Sequence, residues 1–213
     1  MIQKLKRFEK IGFEIFLRGS RIEASAQKMI ETIKLCKIQF TACSISSEAM
    51  LDTMVASKTN PDENYLQAIF EFGCKSRGSD RQSYPTVVAG GLNATKLHYE
   101  SNNQPIKSND LVLVDGGAQF GHYNSDVART WPVSGKFTEA QREIYDAVLF
   151  VNKAIIATLE NGAKKSMDGL YSFAIIVLTQ KLFDLGFFVP FDNMGMSSLP
   201  SEDAPHLTLI ITW

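Results

Sequence analysis

The sequence has little excess charge of either sign: 22 Lys and Arg stand against 23 Asp and Glu, leaving −1 over 213 residues. So weak a net field offers no attraction to a phosphate backbone or an anionic membrane, so neither nucleic acid nor membrane is expected as a partner. Long apolar runs are missing as well, and no stretch approaches the roughly 20 residues that span a bilayer. Cysteine is scarce. Cys36, Cys43 and Cys74 are odd in number and lack C-x-x-C spacing, which argues against a disulfide framework or zinc ribbon and fits a reducing compartment. They read as small buried apolar residues. The basic stretch Met1 to Arg21 is poor in serine, with only Ser20, and is interrupted by Glu9 and Glu14. Both features argue against an organelle transit peptide, and no apolar stretch ahead of a small-residue cleavage site suggests a secretory signal.

What is present suits a folded domain. With 45% hydrophobic and 21% charged residues, the chain can bury the core of one domain or slightly more. From Ile22 to Phe40 the apolar positions Ala26, Met29, Ile30, Ile33, Cys36 and Phe40 recur at three and four, predicting a helix with one buried stripe. A second short helix is expected over Ser46 to Ala56. Asn60-Pro61-Asp62-Glu63 reads as a helix start with Asn60 as N-cap, and Gly78 closes that helix behind Lys75 and Arg77. The helical period then gives way to a short strand, Tyr84 to Val88, entering Gly90-Gly91. Further on, Thr138-x-x-Gln141 is a capping box opening a long helix with Ile144, Tyr145, Val148, Val151, Ile155 and Leu159 inward and Asn161-Gly162 at its end. Another helix, from about Met167 to Leu185, is apolar nearly all round and is expected to be buried in the core.

Leu111 to Thr130 is the stretch that carries chemistry. Leu111 to Val114 and Ala118 to Phe120 are apolar runs split by Gly116-Gly117, and Ser125 to Trp131 follows the turn-rich Gly121-His122-Tyr123-Asn124, a pattern for a β-hairpin. With the turn at Phe120-Gly121, Asp115 lies opposite Asp126. Directly opposed like charges repel at a Cβ separation of roughly 4.5–5.5 Å. A divalent cation would remove that cost, and hard oxygen donors favour Mn²⁺, Mg²⁺ or Zn²⁺. An Asx-type turn role for both aspartates is the competing reading. His122 has the same strand parity as Asp126 but lies about 13 Å along the strand, too far to share a metal, and reads as a turn residue.

Asp115 and Asp126 in DGG(x)7SDxxRTWPVSGKFT, with Tyr84-Pro85-Thr86-Val87-Val88-Ala89-Gly90-Gly91 and Leu97-His98-Tyr99 upstream, resemble the pita-bread metallopeptidases of the aminopeptidase P, prolidase and methionine aminopeptidase group, nearest the X-prolyl aminopeptidase branch. The resemblance covers about residues 22–186. It implies an α+β fold: a partial pita-bread arrangement, with a curved, mainly antiparallel sheet covered by helices. It also implies metal-dependent removal of an N-terminal residue, in particular one that precedes proline. Asp115 and Asp126 become metal ligands of a centre holding two divalent ions, Mn²⁺ first with Zn²⁺ or Co²⁺ as alternatives. His98 becomes the catalytic imidazole beside the metals, donating to substrate and steadying the tetrahedral intermediate. The implied partner is a peptide with proline at its second position, in the mitochondrion or cytoplasm; a homodimer is left open.

The resemblance divides the chain into an N-terminal extension (1–21), the first half of a pita-bread peptidase domain (22–186) and a divergent C-terminal tail (187–213). The family's second half supplies three further ligands, a histidine in a Gly-His motif and two glutamates, and nothing after Gly186 resembles it. His206, Asp192, Glu202 and Asp203 are not expected to replace them. Weak or absent activity of this chain alone is therefore expected. The alternative is a noncatalytic pita-bread module that binds peptide or protein.

Overall fold

A computed structural model describes residues 20–161 and 166–187; the expectations for Met1 to Arg18 and for residues 188–213, including a strand over Leu207 to Trp213, fall outside them. Two helices come first, α1 (Ser20–Ala56) and α2 (Glu63–Ser76). They are followed by β1 (Arg81–Gln82), β2 (Val87–Gly90), a 3-10 turn (Gly91–Thr95), β3 (Leu111–Gly116), β4 (Ala118–Phe120), β5 (Tyr123–Asn124) and β6 (Val127–Pro132). The helical pair α3 (Glu139–Glu160) and α4 (Met167–Asp184) closes the described chain.

The two helices expected before Ala56 are one. No glycine or proline stands between Phe40 and Ser46 to break the hydrogen-bond ladder, so α1 runs on for 37 residues. Where its expected inner stripe is described, it is not fully buried: Ile33 is intermediate, Cys36 is exposed and Phe40 is 40% exposed. Burial begins at Ala42, where α1 crosses the strands and α2. Ile45, Ala49 and Met50 pack there with Leu66, Phe70 and Cys74 of α2 and with Val88, Val112, Val114 and Val127 of the strands. Phe70 and Leu66 are fully buried, each contributing about 1.5–3 kcal/mol relative to exposure. α2 also starts later than expected. Pro61 and Asp62 are tied to Ile106 and Pro105 as extended chain, so Asp62 rather than Asn60 is the N-cap, accepting from the Tyr65 amide at 3.0 Å.

Cysteine burial is graded rather than uniform, with Cys36 exposed, Cys43 intermediate and Cys74 buried. Burial pushes the Cys74 thiol up from 9.0 to about 11. Because the folded value lies above the unfolded one, this thiol's contribution to stability is complete below about pH 9 and is lost as pH rises toward 11. At pH 8 a thiol reagent is expected to label Cys36 promptly and Cys74 only after denaturation. Equal labelling rates in the folded chain would contradict the burial.

Among the described residues all strand pairs are antiparallel and form two three-stranded sheets, β1-β4-β5 and β2-β3-β6. The long hairpin serves both, with β3 and β6 in one sheet and β4 and β5 in the other. At its tip, Gly121 (φ 55°) and His122 (φ 67°) both take the left-handed conformation that a two-residue turn of this hand demands. The α3–α4 pair has its own core of Val151, Ile155, Leu170, Ala174, Leu178 and Leu182. The Thr138–Gln141 capping box opens α3 as expected. Two expectations about burial fail here. Ile144 and Leu159 are 36% and 43% exposed on α3, and Ile176 is 68% exposed on α4, because each helix buries one stripe against the other and leaves its far side to solvent.

Candidate functional site

The hairpin turn at Gly121-His122 fixes a register two residues away from the one expected. Asp115 lies opposite Ala128, not Asp126. A shift of two preserves the face, since side chains alternate with period two. Asp126 therefore remains on the same side as Asp115, as a diagonal neighbour whose reach is roughly 7–8 Å between backbones. It sits just before β6, where the ladder is interrupted. There the buried Ser125 hydroxyl, close to Ser46 of α1 at 2.6 Å, holds both the amide and the carbonyl of Ala118.

The two carboxylates converge on one atom. The Tyr84 hydroxyl, in the bend between β1 and β2, lies 2.6 Å from Asp115 Oδ1 and 2.7 Å from Asp126 Oδ1. A phenol carries one proton and donates to one of them. With both carboxylates ionised, the other short contact would join two acceptors, so the three oxygens lack one positive charge or one proton. Burial pushes the Asp115 carboxyl above the usual carboxylate range. The Tyr84 hydrogen bond opposes this, the Asp126 charge reinforces it and the nearby His98 imidazole opposes it. Burial, followed by hydrogen bonding to the two aspartates, likewise pushes the Tyr84 phenol up, so the hydroxyl stays protonated. An all-oxygen set short of one positive charge matches what a hard divalent cation requires. Among the described residues, no group of three or more His, Cys, Asp or Glu stands ready to hold a metal, so these residues fit part of a coordination sphere.

His98 lies on the loop between the 3-10 turn and β3, exposed, with φ 52°. A left-handed backbone at a non-glycine residue costs roughly 1–3 kcal/mol and persists only where neighbours enforce it. His122 is the exposed turn residue expected of it. Sequence reasoning missed Tyr84 as a partner of the site: it was assigned to a strand, whereas β2 begins at Val87. Its positions 31 and 42 residues before the two aspartates give no local signal. Only the pairing of Val87 with Asp115 brings the β1–β2 bend to that end of β3.

A hairpin that aims two carboxylates at one point, with a histidine loop beside them and helices covering the sheet, defines a metallopeptidase-type α+β fold. The chain belongs to metallopeptidase family M24, whose family model matches residues 40–208. It is similar to Xaa-Pro aminopeptidase 3 of Rattus norvegicus, 44% identical over 168 residues, covering 76% of this chain and 33% of that protein. It is also similar to the mitochondrial intermediate cleaving peptidase 55 of Arabidopsis thaliana, 39% identical over 149 residues, covering 70% of this chain and 30% of that one. The crystal structure of Icp55 from Saccharomyces cerevisiae superposes with a TM-score of 0.67 at 32% identity, over 73% of this chain and 39% of that one. The chain thus spans about a third of the length of the curated relatives it matches, and its fold is part of the pita-bread arrangement.

Proposed function

We propose that this chain carries the first part of the active centre of an X-Pro aminopeptidase, in which Asp115 and Asp126 hold divalent metal and His98 faces the substrate. The observation that carries it is the shared Tyr84 hydroxyl: two carboxylates drawn to one point, with a positive charge wanting. The names of the relatives, Xaa-Pro aminopeptidases, supply the substrate class, a peptide with proline at its second position. When bound, a divalent metal pair with Mn²⁺ first supplies polarisation of a peptide carbonyl and a water of lowered pKa. The chain's own residues orient. Tyr84 holds the carboxylates together at a fixed spacing, and the strained backbone at His98 presents an imidazole able to donate to a peptide oxygen. The mitochondrial name of the Arabidopsis relative supports a mitochondrial setting ahead of a cytoplasmic one. No helix among the described residues is long and apolar enough to cross a membrane.

Two carboxylate donors bind a divalent ion weakly, since affinity rises with the number of charged ligands. The purified 213-residue chain is therefore expected to take up Mn²⁺ weakly in a calorimetric titration, to lose that heat on Asp126→Ala, and to release little from X-Pro peptides. Uptake indifferent to Asp126→Ala would sink the metal assignment and favour the noncatalytic binding module. Brisk peptide release abolished by Asp126→Ala would instead show that the chain alone completes the centre.

A further inference from the structure

One carboxylate outside the site described above is fully buried and is used by nothing in it. Glu63, the first residue of α2, has no solvent exposure. Its Oε1 accepts from the Gly90 amide at 2.9 Å and from Asn93 Nδ2 at 3.0 Å. Its Oε2 accepts from the Tyr99 hydroxyl at 2.7 Å and from the Gln104 amide at 3.0 Å. Four uncharged donors take the place of water around this carboxylate, so that its buried oxygens are satisfied within the fold. The N-terminus of α2 adds a favourable dipole. The donors are not scattered. Gly90 and Asn93 precede His98 in the chain and Tyr99 and Gln104 follow it, so a single side chain gathers both arms of the loop on which His98 sits. Asn93 and Tyr99 also meet each other, at 3.1 Å. His98, exposed at the tip of this clasp, has a left-handed φ of 52° that the loop must enforce.

We propose that Glu63 is a positioning residue: its buried carboxylate clasps residues 90–104 and thereby fixes the His98 imidazole beside Asp115. The inference rests on the reading of His98 as the substrate-facing group. Glu63 acts only through the loop.

Glu63→Gln tests it at nearly constant shape. The amide retains one acceptor oxygen but turns its NH2 toward a donor, the Gln104 amide. Amide hydrogen exchange is expected to rise about tenfold or more across residues 90–104 while residues 111–132 stay protected. In the parent chain Asp115→Asn is expected to shift the His98 ring resonances in proton–carbon NMR, and in the Glu63→Gln background that shift is expected to shrink. Tyr99→Phe, which removes one of the four hydrogen bonds, is expected to show the same pattern more weakly and serves if Glu63→Gln does not fold. Unchanged loop exchange, an equal rise in loop and hairpin, or an undiminished His98 response would overturn the proposal. An Asp115→Asn shift absent from the parent chain would overturn the His98 reading beneath it and the proposal with it, the loop exchange telling the two failures apart.

Discussion

Gly117→Ala is expected to cost about 3 kcal/mol of folding stability, near the upper end of what overpacking does at a single site. Gly117 stands where the hairpin passes from one sheet to the other, and a methyl group there would be driven into the backbone carbonyl oxygen of Ser125, with the Ser83 hydroxyl at 2.9 Å behind it. Backbone cannot swing aside as a flexible side chain can. Ser125 is itself pinned by its amide and hydroxyl to Ala118 and lies beside Ser46 of α1. Relief must come from displacing residues 125–126, which moves Asp126 away from Tyr84. Urea denaturation should show the midpoint falling with little change in slope. A loss below about 0.5 kcal/mol, within the range of an ordinary surface substitution, would show that the hairpin is not closed this tightly.

Asn102→Ala is expected to be as damaging for a different reason. Asn102 is 2% exposed and behaves as a neighbouring strand for β2. Its Oδ1 accepts from the Val88 amide at 2.9 Å, while its Nδ2 donates to the Thr86 carbonyl at 2.7 Å and to Gln67 Oε1 at 2.9 Å. Alanine would leave a buried amide and a buried carbonyl unpaired, at roughly 1–3 kcal/mol each. It would also have to adopt the φ of 40° that asparagine tolerates better than most residues. A loss of about 3 kcal/mol or more is expected in thermal or urea unfolding. Asn102→Gly separates the causes: it relieves the backbone but not the hydrogen bonds, and is expected to remain destabilised by about 2 kcal/mol or more. Near-parental stability of Asn102→Gly would reduce Asn102 to a conformational role.

In the sequence Gly117 reads as half of the glycine pair that splits the apolar runs of the hairpin, and Asn102 as the first residue of a turn-forming polar run, Asn102 to Pro105. That reading is right about local backbone freedom and silent about what each residue touches. The capping box at Thr138, the close of α2 at Gly78 and the stop of α4 at Gly186 were legible because capping is settled within four residues of chain. Burial on α1 was not. Periodicity shows which residues share a face, but among the described residues full burial on α1 begins only at Ala42.

The sequence by itself determined that this is an M24-type chain with a glycine-split hairpin, and that Asp115 and Asp126 share one face, because strand parity survives an error of two in register. The tertiary structure alone decided that Asp115 pairs with Ala128, that the two carboxylates meet at the Tyr84 hydroxyl, and that Glu63 gathers the His98 loop. The hydrogen bonds of Tyr84 and Glu63 join residues 27 to 42 positions apart. A hydrogen bond across such a span depends on how whole elements dock, and local pattern carries no record of that.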